Sequence, residues 1–441
     1  MKVFKFGGAS VNSAEAVRNM AQIVQKHIES EPLVVVVSAM GKTTNLLEKL
    51  VPGSGEHGEG ITELRQQLEN YHIEIAKCLV PDNKEMIDKV HGWLLQLDET
   101  IAALPPTADN YNFNYDQVVS FGELLSTTII AHYLNHLGIK TQWVDARHMI
   151  ITDNHYREGR VDWEATEERW KAESETWKDG KAPQVVLTQG FIGGAKEDGD
   201  NRQFSIFNYQ FSNATTTLGR EGSDYSAAIV AYCLGAESVT IWKDVPGFLN
   251  ADPKFFKDTV KIDQIPYNEA IELAYYGASV IHPKTVKPIQ NKGIPLYIRS
   301  FITPDAAGSA IGNYGAVCPA TPLYIFKNNQ ILLSIAPRDY SFIAEDNLQT
   351  IFGLLNKVGI RVNLMQNSAL SFSICIDNNE QRVGLLVEKL KSMFQVRYND
   401  NLQLVTIRYY TQEVIDSIVA GRPVLLEQRS RLTEQLIVPC I

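Results

Sequence analysis

The sequence predicts an α/β protein with a largely parallel sheet, followed by a smaller α+β unit. Short apolar, β-branched runs alternate with longer helical patterns through the first 300 residues, which is typical of parallel strands joined by crossover helices. Residues 304–322 are then rich in Gly, Pro and Ala and mark a boundary. Beyond them, the order strand-helix-strand-strand-helix-strand is typical of a ferredoxin-like unit.

In the first part, strands are predicted where short runs are mostly apolar or β-branched. They cover residues 3–6, 33–38, 141–144, 185–189, 238–242 and 296–299. Several end in Gly, Ser or Asp, and ligands bind at the carboxyl ends of strands in open α/β sheets. Residues 54–114 interrupt the alternation with a Gly-rich loop and two helical stretches, so we interpret them as a helical insertion.

The second region is predicted over residues 325–441. Its predicted strands are 331–335, 360–365, 370–376 and 402–409, and its helices are 346–358 and 380–393. These elements complete one ferredoxin-like copy over about residues 328–410. Residues 412–441 offer one helix and two strands, which are too few for a complete second copy. We therefore predict a first domain over residues 1–305 and a second region whose second copy is truncated.

Composition narrows the classes of function. Of the 441 residues, 44% are hydrophobic and 21% charged, and the formal net charge is -10, so the chain can bury sizeable cores. The acidic balance disfavours a nucleic-acid binder, which must neutralise phosphates. No apolar stretch approaches the ~20 residues of a membrane-spanning helix, and the N-terminus is no signal peptide, so we predict a cytoplasmic protein with small-molecule partners. Five scattered cysteines without a Cys-x-x-Cys pair disfavour disulfides and a structural zinc site.

Residues 5–10 (Lys-Phe-Gly-Gly-Ala-Ser) form a candidate phosphate cradle. They follow the first strand and precede an amphipathic helix that begins near Ala14. Bare N–H groups at Gly7 and Gly8 and the helix dipole would hold an anion, while the ammonium group of Lys5 neutralises it. The alternative is a plain strand-turn-helix with an exposed lysine, since short glycine pairs are common.

Residues 38–45 (Ser-Ala-Met-Gly-Lys-Thr-Thr-Asn) follow a very apolar strand. They are not a P-loop, because that motif requires a glycine at position 36, where this chain has Val36. Their hydroxyl groups and backbone donors instead suit a small anionic substrate. A polar loop that caps the next helix is the alternative.

Two further segments place charged side chains at predicted helix starts. Glu123 follows a Phe-Gly pair, where it either favours the helix dipole or contacts a ligand. Residues 217–224 set Arg220 between two glycines, close to Asp224 and an Ala-rich helix. An arginine binds a carboxylate bidentately. Asp224 either caps the helix or orients Lys5.

Two later loops follow predicted strands. Residues 243–254 contain an Asp-Val-Pro-Gly turn and an Asp-Pro-Lys turn at a strand's carboxyl end, where a nucleotide would lie. A solvated loop is the alternative. His282 stands before a proline, and we predict a structural role for it rather than a catalytic one.

Taken together, these segments resemble the aspartate kinase family of the amino-acid kinase fold. The matching motifs follow the family's order along nearly the whole chain, at residues 5–10, 38–45, 121–123, 217–224, 243–254 and 278–285. The resemblance implies a parallel-sheet sandwich and ATP-dependent phosphorylation of the side-chain carboxylate of L-aspartate, with Mg²⁺ bridging the phosphates. That reaction opens lysine, threonine and methionine synthesis. The resemblance also implies an ACT-type C-terminal region, the module that binds lysine or threonine for feedback control.

The resemblance assigns roles to individual residues. It places Lys5 on the transferring phosphoryl group, with Asp224 organising the lysines. Glu123 would face the substrate amino group and Arg220 a substrate carboxylate. The other substrate residues would be Ser38, Thr44 and Ser223. The other nucleotide residues would be Phe6, Gly7, Gly8, Lys243, Asp244, Leu249, Lys254, Ser279 and Val280.

Several positions depart from the family's pattern. Lys243 replaces a usual threonine, Leu249 a usual tyrosine and Lys254 a usual arginine, so the nucleotide preference is open. Glu221 stands where a glycine is common. Asn363 stands where lysine-sensitive relatives have an aspartate, so the effector is open as well.

Two other functions compete with this interpretation. One is another amino-acid kinase, such as glutamate 5-kinase, although the Phe-Gly-Glu motif and the ACT-like tail favour aspartate. The other is an amino-acid sensor without turnover, which the joint presence of Lys5, Arg220 and Asp224 disfavours. We also predict a homodimer through the ACT-like units, because a ferredoxin-like sheet leaves an edge strand that can pair with a partner.

Overall fold

The computed structural model describes residues 1–54, 59–177, 182–196, 214–256, 258–278, 280–339 and 341–440. The chain divides into two compact units. The first consists of Met1–Phe248, Lys261–Ile271 and Val280–Cys318, and the second of Leu249–Val260, Glu272–Ser279 and Pro319–Ile441. Two short segments that precede the Gly/Pro/Ala-rich boundary thus group with the C-terminal unit.

The first unit is built on a mostly parallel sheet. The strands up to the boundary are β1 Lys2–Phe6, β2 Leu33–Val37, β3 Thr141–Val144, β4 Ile151–Thr152, β5 Val185–Gln189, β6 Ile192–Ala195, β7 Thr215–Thr217, β8 Ser238–Lys243, β9 Phe248–Leu249, β10 Lys261–Ile262, β11 Gln264–Pro266, β12 Leu296–Ser300 and β13 Ser309–Gly312. In the described residues the main sheet has the order β11-β13-β12-β8-β1-β2-β5-β3. All six predicted strands lie in this sheet and run parallel, which confirms the predicted α/β class.

Helices connect the strands of this part of the chain. They are α1 Ala14–Lys26, α2 Thr43–Leu50, α3 Glu59–Leu79, α4 Lys84–Ala103, α5 Tyr111–Val119, α6 Phe121–His136, α7 Ala146–Met149, α8 Trp163–Glu175, α9 Gly222–Leu234, α10 Tyr267–Tyr276 and α11 Pro283–Asn291. The predicted helical insertion, residues 54–114, forms α3, α4 and the start of α5. These three helices contribute to the same apolar core as α1, α2 and α6. None of the helices in the described ranges combines the length and the apolar composition that a membrane span requires.

Local sequence explains several of these helix boundaries. The Ser13 side chain caps α1 by accepting a hydrogen bond from the backbone N–H of Ala16. His282 caps α11, since its Nδ1 accepts from the N–H of Lys284 at 3.1 Å, and Pro283 occupies the first helical position. The structural role predicted for His282 is therefore confirmed.

The centre of the sheet is fully apolar. Strand β2 reads Leu-Val-Val-Val-Val, and all five residues are buried. A parallel strand with both faces covered is buried on both sides, so its sequence is a continuous apolar run rather than an alternation. Strands β2 and β8 flank β1 in parallel, which brings the carboxyl ends of all three to one edge of the sheet.

The second unit contains an antiparallel sheet. Its strands are β14 Leu323–Pro337, β15 Val362–Asn367, β16 Phe372–Asp377, β17 Phe394–Arg408, β18 Leu426–Arg429 and β19 Thr433–Pro439, and its helices are α12 Glu345–Val358, α13 Glu380–Lys391 and α14 Gln412–Val419. In the described residues the strand order is β15-β16-β14-β17-β19-β18. The elements follow the predicted sequence of strands and helices, including the last helix and two strands.

Two strands of the second unit are longer than predicted. β14 begins at Leu323 rather than at residue 331, and β17 begins at Phe394 rather than at residue 402. The added part of β17 is mostly polar and exposed, so it shows no apolar alternation. Antiparallel pairing with β14 supplies its backbone hydrogen bonds instead.

Candidate active site

A cavity of about 590 Å³ opens at the carboxyl ends of the central strands. Its lining includes all five residues predicted to bind the substrate, together with one glycine of the predicted phosphate cradle. These six residues are Gly8, Ser38, Thr44, Glu123, Arg220 and Ser223. The cavity lies within the first unit, and the motifs that line it are far apart in sequence.

A buried carboxylate beside this cavity holds two lysines. Asp224, which is 2% exposed, has its Oδ1 at 2.6 Å from Lys5 Nζ and its Oδ2 at 3.3 Å from Lys243 Nζ. Burial alone would raise the pKa of Asp224, but the two ammonium groups outweigh it and lower the pKa. Glu221, rather than Asp224, occupies the N-cap position of α9. Asp224 therefore fixes the ammonium groups at the ends of β1 and β8.

Glycine is required where the loops after β1 and β2 meet. The N–H of Gly41 donates to the carbonyl oxygen of Gly8 at 3.0 Å. A Cβ atom at Gly8 would lie 2.8 Å from the carbonyl oxygen of Ala39 and 2.9 Å from that of Gly41. Gly7 and Gly8 thus leave backbone open beside Lys5, as the phosphate-cradle interpretation requires.

Two serines from distant motifs meet across the cavity. Ser38 Oγ donates to Ser223 Oγ at 2.7 Å, and Ser126 Oγ donates to the carbonyl oxygen of Ser38 at 2.8 Å. A Cβ atom at Gly190 would lie 2.5 Å from Ser223 Cβ, so only glycine at that position leaves room for this serine. The hydroxyl groups predicted for the substrate site are therefore adjacent.

Glu123 is a buried carboxyl group in the first turn of α6, with 2% of its surface exposed. Its Oε1 accepts a hydrogen bond from the N–H of Ala39 at 3.2 Å, while its Oε2 has no partner among the described residues. Burial raises the pKa of Glu123 to about 8. A carboxyl group of this kind, with one acceptor oxygen vacant, suits a cationic ligand.

The predicted nucleotide residues fall into separate groups. Lys243 and Val280 are joined, since Lys243 Nζ donates to the carbonyl oxygen of Val280 at 2.5 Å, and Asp244 directly follows β8. Leu249 and Lys254 belong to the second unit. Ser279 lies outside the described residues. The predicted roles of these last three in nucleotide binding stay predictions.

The structure also places in the cavity residues that the sequence analysis did not identify. They include Tyr115, Arg157, Glu158 and Phe191. Tyr115 lies eight residues before Glu123 on the preceding helix, so extending the helical periodicity back from the Phe-Gly-Glu motif could have found it. Arg157 lies in a loop between β4 and α8 that has no motif, so no comparable signal pointed to it.

Comparison with known proteins places the chain in a family. Residues 1–300 match the Amino acid kinase family, and the chain belongs to that family. Within it, the chain groups with the aspartokinases. It is 31% identical over 411 residues to Aspartokinase 1, chloroplastic, of Arabidopsis thaliana, covering 89% of this chain and 67% of the relative. It is 30% identical over 419 residues to Lysine-sensitive aspartokinase 3 of Escherichia coli K12, covering 92% of this chain and 86% of the relative.

A solved structure agrees with this assignment. The crystal structure of E. coli aspartokinase III in complex with aspartate and ADP (R-state) superposes with a TM-score of 0.80 at 26% identity. The match covers 100% of this chain and 96% of that chain. The predicted family and its fold are therefore confirmed.

Proposed function

We propose that this protein is an aspartate kinase. It transfers the γ-phosphoryl group of ATP to the side-chain carboxylate of L-aspartate, giving 4-phospho-L-aspartate and ADP. The observation that carries the proposal is the Asp224 carboxylate, which holds Lys5 and Lys243 next to Ser223 and the cavity that Glu123 and Arg220 line. The aspartate and ADP bound to E. coli aspartokinase III support the same pair of ligands here.

In the proposed reaction the residues position and neutralise charge. The substrate carboxylate is ionised at pH 7, so it attacks the γ-phosphorus without a general base. Lys5 and the N–H groups of Gly7 and Gly8 would stabilise the negative charge on the transferring group. At the other end of the substrate, Glu123 would accept hydrogen bonds from the ammonium group and Arg220 would bind the α-carboxylate.

The site also fits a magnesium ion that accompanies ATP. Mg²⁺ binds through phosphate oxygens, waters and one or two carboxylates, and it neutralises charge on the phosphates when bound. The Oε2 atom of Glu221 is buried without a hydrogen-bond partner among the described residues, and this side chain lines the cavity. Glu221 would therefore supply a carboxylate ligand to the ion.

Substrate affinity should depend on the ionisation of Glu123. Because burial raises the pKa of Glu123 to about 8, the group is mostly protonated at pH 6 and half ionised at pH 8. Only the ionised form attracts an ammonium group, so we expect KM for L-aspartate to fall more than tenfold between pH 6 and pH 8. Initial rates at saturating Mg-ATP measure this. Glu123→Gln should keep the high KM at every pH, and a pH-dependent KM in that variant would contradict the assignment.

The direct test of function is aspartate-dependent release of ADP from Mg-ATP, with hydroxylamine present to trap the acyl phosphate as a hydroxamate. We expect signal with L-aspartate and none with L-glutamate. Signal with L-glutamate alone would indicate a glutamate kinase. A folded protein that binds ATP but releases no ADP with either amino acid would instead be the sensor.

We further propose that the second unit binds an amino-acid effector, lysine or threonine. The relative named lysine-sensitive aspartokinase 3 supports this. Asn363 Nδ2 donates to Gln330 Oε1 at 2.8 Å and to Asp377 Oδ1 at 2.9 Å, and Lys327 Nζ donates to Asn363 Oδ1 at 2.9 Å. The cluster thus offers a carboxylate and an ammonium group, the two kinds of charge that an amino acid carries. Repeating the ADP assay with each amino acid shows which one inhibits, and inhibition by neither would contradict this proposal.

We also propose a cytoplasmic homodimer formed through the second unit. Strand β15 is an edge of its sheet, and the nearby Phe342, Met365 and Leu370 are 72%, 52% and 48% exposed. An edge strand with apolar neighbours can pair with a second copy. Light scattering should give about twice the 49.4 kDa mass of one chain, and a value near that mass would contradict the dimer.

A further inference from the structure

Arg157 has an unusual backbone conformation in the wall of the cavity. Its φ angle is 70°, in the left-handed region that costs a residue with a side chain of order 1 kcal/mol and favours glycine. Such strain persists only where surrounding contacts enforce it, and it clusters at ligand sites. A glycine would adopt this backbone without strain, so the arginine side chain offers something that glycine lacks.

A buried carboxylate enforces that conformation. Asp116 is fully buried, and its Oδ2 accepts hydrogen bonds from the backbone N–H groups of Arg157 at 2.8 Å and Thr217 at 2.9 Å. Its Oδ1 accepts from Thr217 Oγ1 at 2.7 Å. The N–H of Gly159 also donates to the carbonyl oxygen of Thr217 at 2.8 Å. Asp116 therefore ties the Arg157 loop to β7, the strand that leads to Arg220.

The guanidinium group of Arg157 lies over an aromatic ring beside the substrate site. Its carbon is 4.2 Å from the centre of the Tyr115 ring and 5.9 Å from that of Tyr111. No carboxylate in the described part of the chain forms an ion pair with it, and none of its side-chain N–H groups donates to an acceptor there. The backbone carbonyl oxygen of Arg157 lies beside Gly219, because a Cβ atom there would be 3.2 Å from it. Arg157, Glu123 and Arg220 all line the cavity. Arg157 therefore lines the cavity beside the segment of Gly219 and Arg220, with its side-chain donors uncommitted.

The positions of the other charges indicate which part of the substrate Arg157 meets. The reacting carboxylate must lie at the Lys5 end, where two lysines already face Asp224. The ammonium group belongs at Glu123, and the α-carboxylate is attached to the same carbon atom as that ammonium group. A free guanidinium group in the same cavity, on a backbone beside the Arg220 segment, is thus suited to the α-carboxylate.

We propose that Arg157 is a second arginine for the α-carboxylate of the substrate, acting beside Arg220, and that it determines specificity for amino acids that carry this group. The inference rests on the proposed aspartate kinase function. Tyr115 holds the guanidinium plane, and Asp116 acts as the positioning residue for the loop.

The test uses Arg157→Gly in the full-length protein. Glycine suits the φ angle of 70°, so the variant should fold with an unchanged or higher Tm. Losing hydrogen bonds from a charged donor should raise KM and the calorimetric Kd for L-aspartate about 10–100-fold, with little change in kcat. Arg157→Lys should recover only part of the lost affinity for L-aspartate, because an ammonium group lacks the planar pair of donors of a guanidinium group. The exposed Arg160 in the same loop provides the control, and Arg160→Ala should bind as the wild type does.

A substrate analogue separates recognition of the α-carboxylate from a general change of shape. 3-Aminopropanoate has the amino group and the reacting carboxylate of L-aspartate but no α-carboxylate. Its Kd, measured by competition with L-aspartate, should be the same for wild type and Arg157→Gly. An unchanged Kd for L-aspartate in the variant, or equal weakening of both ligands, would overturn the proposal. The calorimetric binding of L-aspartate does not depend on turnover, so a wild type that binds but releases no ADP would contradict the kinase function alone.

Discussion

Lys5→Ala is expected to lower kcat for ADP formation by about 10²–10³-fold, with a smaller change in KM for L-aspartate. Lys5 Nζ lies 2.6 Å from Asp224 at the end of the central strand, beside the open backbone of Gly8. A fixed donor aimed at charge that develops in the transition state contributes roughly 3–4 kcal/mol, and alanine removes it completely. Substrate binding relies on the other end of the cavity, so KM should change less than kcat. Steady-state rates with varied L-aspartate measure both.

The alanine variant also leaves the buried Asp224 with Lys243 as its remaining cation, and a buried charge that loses a partner is destabilising. The double variant Lys5→Ala/Asp224→Asn removes that charge. Recovery of the Tm in the double variant would attribute any stability loss of Lys5→Ala to the unpaired charge, and the kcat of a folded Lys5→Ala then reports the missing ammonium group. Lys2→Ala is the matched control on the same strand, because Lys2 pairs with Glu29 near the surface and should keep full activity. Wild-type turnover by Lys5→Ala would refute the role of Lys5.

The part of the site that could be predicted is the part that strand topology dictates. Ser38 and Ser223 are 185 residues apart in sequence, yet their hydroxyl oxygens are 2.7 Å apart. Parallel strands put their carboxyl ends at the same edge, so polar motifs that follow separate apolar runs converge once the strands are neighbours. Lys5 and Lys243 meet Asp224 for the same reason, since β1 and β8 are paired. Short apolar runs in the sequence were enough to locate these strands.

Other features depend on tertiary contacts that leave no local pattern. The polar half of β17 is held by pairing with β14 rather than by burial, so no alternation identifies it. Arg157 adopts a positive φ angle because a carboxylate 41 residues earlier in the chain binds its backbone. The burial that raises the pKa of Glu123 comes from the helices and loops packed around it. A sequence motif names such a residue without giving its protonation state.

Acidification is expected to destabilise the first unit through His72 in helix α3. This side chain is fully buried, its Nδ1–H donates to the carbonyl oxygen of Leu68 at 2.8 Å, and its Nε2 has no partner among the described residues. Burial lowers the pKa of His72 from 6.5 to about 4, because the charged ring would lose its hydration. The helical pattern of the insertion predicted α3 but not the burial of this ring.

The sign of the effect follows from proton binding in the two states. Between pH 6.5 and about 4, the unfolded chain binds a proton at His72 and the folded chain does not, so the free energy of unfolding falls as the pH falls. The loss in the free energy of unfolding that His72 causes amounts to about 3 kcal/mol near pH 4. His72→Leu should remove this part of the pH dependence even if it shifts stability by a constant amount. Urea unfolding at pH 7, 6, 5 and 4.5 measures the slope in both proteins.

A variant of an exposed histidine controls for the His72→Leu experiment. His136 is exposed at the end of α6, so His136→Leu is the control for replacing a helical histidine by leucine away from the core. Burial and nearby Lys89 also lower the pKa of His132, but this contribution to the pH dependence is common to all three proteins and cancels in the comparison. Equal slopes for wild type and His72→Leu would mean that the ring takes up a proton in the folded state. The protonated Nε2 atom of His72 would then donate to an acceptor or a water molecule. The packing around His72 would be looser than the full burial of this side chain indicates.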